Sequence, residues 1–98
     1  AHVRAIYNAF LPVIDGCVFS YCQEGALYCH AGKITNSQFI NCKARSGAGI
    51  IMYGARGQVE HCHFQHCISS YSGGAIDMSG SYHIVGCTYE DCHPNNVS

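Results

Sequence analysis

Apolar and polar residues alternate with period two over short runs of this chain. In Ile34-Thr35-Asn36-Ser37-Gln38-Phe39, Ser37 and Phe39 fall on one face. In Ala75-Ile76-Asp77-Met78, Ile76 and Met78 do the same. Alternation of this kind marks half-buried strands. Gly-Gly, Ser-Gly and Asn pairs punctuate the runs, as turns require. No helical period is sustained for ten residues. The pattern predicts an all-β chain of short strands.

The strands recur. A hexapeptide Cys-x-aromatic-x-x-Cys occurs as Cys17–Cys22 around Phe19, Cys62–Cys67 around Phe64 and Cys87–Cys92 around Tyr89. A fourth copy, Ser37–Cys42 around Phe39, carries Ser for the first Cys. An aliphatic residue lies three positions ahead of each: Ile14, Ile34, Val59 and Ile84. The copies start at 17, 37, 62 and 87, in steps of 20, 25 and 25. A second motif separates them. Gly73-Gly74-Ala75-Ile76-Asp77-Met78 matches Gly47-Ala48-Gly49-Ile50-Ile51-Met52, Glu24-Gly25-Ala26-Leu27-Tyr28-Cys29 and the opening Ala5-Ile6-Tyr7-Asn8.

From Ala5 to Cys22 the chain aligns with Ala75 to Cys92 at a constant offset of 70. Residues 1–98 are therefore one domain of four copies of a unit of about 25 residues. Insertions are expected in the loops between motifs rather than in strands. Strands in a repeat of this length, each copy with a Gly-rich corner, describe the coils of a single-stranded parallel β-helix, a solenoid. Coils stack at ~4.8 Å, so like residues form inward ladders. Six are expected: Ile14/Ile34/Val59/Ile84, Cys17/Ser37/Cys62/Cys87, Phe19/Phe39/Phe64/Tyr89, Cys22/Cys42/Cys67/Cys92, Ile6/Leu27/Ile50/Ile76 and Asn8/Cys29/Met52/Met78.

The string from Ser37 to Ile50 and the Gly73-Gly74-Ala75-Ile76 tetrapeptide resemble the GGAI and FxxN repeats of polymorphic outer-membrane proteins, with Cys at the place of the Asn in all four hexapeptides. Those proteins are surface adhesins of the autotransporter type. The resemblance covers nearly the whole chain. It implies a right-handed β-helix and an extracellular, cell-surface role.

Composition narrows the function. Charged residues are 11% of the chain and the net charge is −1, so there is no basic stripe for nucleic acid. No apolar run reaches the ~18 residues of a membrane helix. Eight cysteines in 98 residues suit an oxidised, secreted scaffold or a metal protein. His61-Cys62-His63 and Cys92-His93 look like ligand clusters, but neighbours on a strand point to opposite faces. A haem-type reading of Cys87 to His93 fails because the other copies have Gln23, Lys43 and Ile68 at the place of His93.

Asp15, Asp77 and Asp91 do not align into a carboxylate row for polysaccharide cleavage, and no G-x-S-x-G is present. Two threonines exclude an ice-binding array. No catalytic residue, cofactor or metal is assigned, and the chain is read as not an enzyme. Seven histidines matter chiefly as charge, since their full protonation takes the net charge from −1 to +6. Asn96-Val97-Ser98 is a formal N-glycosylation sequon.

By the offset of 70, the two ends of the chain fall at nearly one phase of the repeat, without capping elements. The first residue is Ala1, which leaves room for a removed leader. Open ends are templates for pairing with another chain, and a contact that does not close makes a filament. The expected function is a secreted structural subunit whose partner is itself, stacked head to tail into an extracellular fibre. The alternatives are an adhesin-type module that binds glycans or a cell surface as part of a longer β-helix, and a polysaccharide-active fragment.

Cys17, Cys22, Cys29, Cys42, Cys62, Cys67, Cys87 and Cys92 are either buried thiols of the core or disulfides between coils. Cys17, cut off by Ser37, would meet Cys87 of an adjoining subunit, or Cys29 across a short loop. Cys92 would meet Cys22 across the same kind of junction.

Overall fold

The computed structural model describes residues 2–3, 6–10, 13–46, 48–72, 74–79 and 82–93. Among these lie thirteen strands: His2–Val3 (β1), Ile6–Phe10 (β2), Val13–Asp15 (β3), Val18–Ser20 (β4), Leu27–Thr35 (β5), Gln38–Ile40 (β6), Lys43–Ser46 (β7), Ile50–Glu60 (β8), His63–Gln65 (β9), Ile68–Ser72 (β10), Ile76–Ser79 (β11), Tyr82–Val85 (β12) and Thr88–Glu90 (β13). The described residues form no helix. Every strand pair is parallel. One sheet orders its strands β1-β4-β6-β9-β13, a second β11-β8-β5-β2 with β12 on β8 and β3 on β5, and a third joins β10 to β7.

Apart from β1, the strands thus lie against their counterparts in neighbouring copies of the sequence repeat. The register pairs Phe19 with Phe39, Phe39 with Phe64 and Phe64 with Tyr89. It pairs Ile14 with Ile34, Ile34 with Val59 and Val59 with Ile84. It also runs Ile6–Leu27–Ile50–Ile76. The all-β, parallel reading of the alternation therefore holds.

The aromatic ladder is a stack. Ring centroids are 4.8 Å apart for Phe19–Phe39, 4.9 Å for Phe39–Phe64 and 5.5 Å for Phe64–Tyr89, with planes within 14°. That spacing is the distance between hydrogen-bonded strands, so the rings follow the backbone ladder. Opposite the rings stand small residues. A Cβ on Gly49 would come within 2.7 Å of the Ala75 carbonyl oxygen and 2.8 Å of the Phe64 ring. The Gly-Ala character of the second motif is therefore the clearance that the aromatic ladder needs.

Corners are made by left-handed residues. Gly16, Asn36, His61 and Gly86, each just before the first position of a hexapeptide, have φ between 51° and 67°. Tyr21, Asn41, His66 and Asp91, each just before its last Cys, have φ between 51° and 56°. One left-handed residue swings the chain between two extended segments, and its recurrence at two fixed places keeps the copies superposable.

Three expectations need correction. Asn8 does not stand in register with Cys29. Ala9 does, because the pairing shifts by one residue between Ile6 and Ala9. Insertions are not confined to loops. His30 pairs with Tyr53 and Gly32 with Gly57, so β8 carries its two extra residues as a bulge within a continuous strand. The constant offset also fails at the start. It aligns residues 2–3 with 72–73, yet His2 and Val3 pair with Val18 and Phe19.

Candidate functional site

The chemistry-bearing side chains fall into two groups, the thiols inside and the imidazoles outside. All eight cysteines are free thiols. Cys22, Cys42, Cys67 and Cys92 form one ladder, fixed by hydrogen bonds from Lys43 N–H to the Cys22 carbonyl, Ile68 N–H to Cys42 and His93 N–H to Cys67, 2.8 to 3.0 Å. All four are buried. The second ladder runs Cys17, Ser37, Cys62, Cys87, tied by Gln38, His63 and Thr88 N–H to the carbonyls of Cys17, Ser37 and Cys62. Here Ser37 and Cys62 are buried, while Cys17 and Cys87, at opposite ends, are half-buried.

The thiols share one geometry. In the two ladders each sulfur lies 3.4 to 3.8 Å from the carbonyl oxygen two residues back, and five also lie 3.3 to 3.9 Å from a carbonyl oxygen of the preceding copy. Cys62 Sγ lies 3.4 Å from Glu60 O and 3.7 Å from Ile34 O. Cys67 Sγ lies 3.3 Å from Phe39 O, and Cys92 Sγ 3.5 Å from Phe64 O. Ser37 keeps the pattern, with Oγ donating to Thr35 O at 2.9 Å and accepting from Cys17 N–H at 3.3 Å. A hydroxyl therefore fits the thiol's place.

Sulfur-to-sulfur hydrogen bonds separate the acidities. Cys87 accepts from the Cys62 thiol, and chiefly for that reason its own thiol falls to about 6, against the opposing effect of burial; the Cys62 N–H and the nearby His61 help. Cys62, the donor, is pushed up. Cys92 falls to about 6, chiefly because it accepts from Cys67, and Cys67 rises as a donor. Cys29 stands apart. Its register neighbours are Ala9 and Met52, no cysteine, and burial pushes its thiol up to about 11.

Outside, histidines meet acids across adjacent copies. His63 Nε2 lies 4.0 Å from Glu90, His66 Nδ1 3.7 Å from Asp91 and His83 Nε2 3.6 Å from Glu60. All three join the third copy to the fourth. His63 Nδ1 is also 2.6 Å from the Thr88 hydroxyl. Between the first two copies, Asp15 accepts from Thr35 at 2.6 Å and Asn36 at 3.0 Å. On the outer face of β5 and β8, Tyr53 packs edge-on against Tyr28 at 5.3 Å and His30 at 4.3 Å. Among the described residues, no group of three or more His, Cys, Asp or Glu is placed to hold a metal ion. Asn96 lies outside the described residues.

Sequence reasoning did not anticipate the corner residues or the pairing of acidic and histidine side chains between copies. The signal for the corners was the residue directly before the first and last position of each hexapeptide, where Gly, Asn and Asp, the types that tolerate φ > 0, fill five of eight places. Comparison with protein-family models, curated proteins and solved structures finds no match.

Proposed function

We propose that the chain is a right-handed parallel β-helix of four coils, a secreted and non-enzymatic structural subunit that stacks end to end into an extracellular fibre. The observation that carries the reading is the partial opening at the fourth copy of three of the ladders. Ile34, Cys62 and Phe64 are closed off from solvent, whereas their fourth-copy counterparts Ile84, Cys87 and Tyr89 pack on the core and remain partly open. Among the described residues, β11, β12 and β13 each have a strand partner on one side. Such an edge presents backbone N–H and C=O groups in register with an apolar ladder, the requirement for strand addition.

With principal extents of 28 × 26 × 25 Å, the end faces are as broad as the sides. A second copy supplies what such a face lacks: a parallel edge carrying the same residue types. Stacking by translation does not close and yields a filament.

The test is negative-stain microscopy with sedimentation at rising concentration. Unbranched fibres are expected for the natural chain. Ile84→Asp and Tyr89→Asp, which put charge on the open face, should leave folded single subunits. A natural chain that stays monomeric at millimolar concentration sinks the reading. The second reading is an adhesin-type module. The observation that favours it is the Tyr28–Tyr53–His30 cluster on an outer sheet face, and monomers that bind glycan surfaces would support it.

A further inference from the structure

We infer that Cys62 and Cys87 form a thiol–disulfide exchange site, in which Cys87 attacks a low-molecular-weight disulfide and Cys62 resolves the product into an intrachain bond. The two residues occupy equivalent places on adjacent parallel strands. They are bracketed by the pairs Val85–Glu60 and Thr88–His63. Strand spacing puts their Cα atoms ~4.8 Å apart, inside the roughly 4.4–6.8 Å that a disulfide spans.

Both side chains point the same way. Cys62 Sγ reaches the Ile34 and Glu60 carbonyls, and Cys87 Sγ the Val59 and Val85 carbonyls, at 3.4 to 3.7 Å. One of the pair is closed off and the other is half-open, as a resolving and an attacking thiol need to be. Ser37 ends the ladder on the far side of Cys62, so a single product is available. The four-thiol ladder from Cys22 to Cys92 could scramble among three adjacent pairs. The neighbouring Cys62 thiol supports the same assignment, since it holds Cys87 toward thiolate, at about 6.

The chemistry balances. The Cys87 thiolate attacks one sulfur of RS–SR, forming Cys87–S–S–R and releasing RS⁻. The Cys62 thiol gives its proton to the departing RS⁻, and its sulfur attacks the Cys87 sulfur, releasing a second RS⁻. Two protein thiols are oxidised by two electrons, and one small disulfide is reduced to two thiols. The inference does not rest on fibre formation, because the site lies within one chain.

The probe is dithiodipyridine on the reduced protein, followed by peptide mapping. The natural chain should release two thiopyridones per chain in a fast phase, leaving a Cys62–Cys87 bond. The pH–rate profile should break near 6 rather than near the ordinary thiol value. Lower basicity weakens a thiolate as a nucleophile, so the gain at pH 7 over a free thiol is only about fourfold. The position of the break is the sharper readout.

Cys62→Ser should release one equivalent and trap a mixed disulfide on Cys87. Cys87→Ser should lose the fast phase. Ser37 already fills the equivalent place in the second copy, so both variants keep a residue that the ladder accepts. A fast phase that survives Cys87→Ser, a natural chain that stops at one equivalent, or a map dominated by Cys17–Cys87 between chains would each overturn the assignment.

Discussion

At the residue scale, the aromatic stack is the largest concentrated stake. Phe64 is fully buried with a ring on each side, Phe39 at 4.9 Å and Tyr89 at 5.5 Å. Truncation leaves a void between two rings that the backbone ladder prevents from closing. Phe64→Ala should cost about 3–5 kcal/mol, read as a shift in urea midpoint. That loss is a large fraction of the ~5–15 kcal/mol that holds a typical domain folded. An unchanged midpoint would contradict the stack.

Asp15 gives a pH signature. The Thr35 hydroxyl, then the Asn36 amide, hold its carboxyl below the usual carboxylate range. A folded value below the unfolded one contributes stability that is present above the unfolded pKa of ~3.9 and is lost as pH falls through the folded value. The stability difference between the natural chain and Asp15→Asn should therefore shrink between neutral pH and pH ~3. Thermal melts at the two pH values measure it, and a constant difference would remove Asp15 from the link between the first two copies.

At the scale of the element, the corners and the clearances decide how copies superpose. Tyr21 has φ 56° and is exposed, so its side chain contributes little to set against left-handed strain. That strain is about 1–2 kcal/mol, and a glycine gives back about 0.4–1 kcal/mol through the unfolded chain. Tyr21→Gly should therefore stabilise by about 0.5 kcal/mol, whereas Tyr21→Val should destabilise; melting temperatures of the two variants check the sign. Gly49→Ala goes the other way. The added methyl meets the Ala75 backbone carbonyl and the buried Phe64 ring, so one of them must shift, and overpacking of this kind costs about 1–3 kcal/mol.

These positions also mark what could be read from the chain. Inward residues repeat because each must match the residue stacked on it, so the spacing of Phe39 and Phe64 was enough to pair them, and Ser37 stood out against three cysteines. Outward and corner positions carry no such constraint. Tyr21 and His66 take a conformation that their side chains do not advertise. Likewise, an extra residue in a strand is invisible to a motif count that treats strands as rigid. That is why Ala9 rather than Asn8 stands opposite Cys29, and why β8 holds extra residues where the motifs place insertions in loops.

At the scale of the whole molecule, two of the three sheets differ in depth by one strand, and the difference bears on assembly. The path β11-β8-β5-β2 has four strands, whereas the sheet of the hexapeptides has a fifth, His2–Val3, lying on Val18–Phe19. If subunits stack in phase, the Val18–Ser20 edge of one must meet the Thr88–Glu90 edge of the next. His2–Val3 occupies that edge. It pairs over two residues only, so the incoming three-residue strand has more ladder to offer and can displace it. A chain beginning at Ile6 should then form fibres sooner than the natural chain at equal concentration, with no lag attributable to displacement. Aligned fibres of either chain should diffract on the meridian at ~4.8 Å from the strand spacing, with a layer line near ~19 Å from four strands per subunit. A shortened chain that remains monomeric at millimolar concentration would show that His2–Val3 guards nothing. Fibres with an axial repeat near ~24 Å, five strand spacings, would show instead that it stays in place and becomes part of the junction.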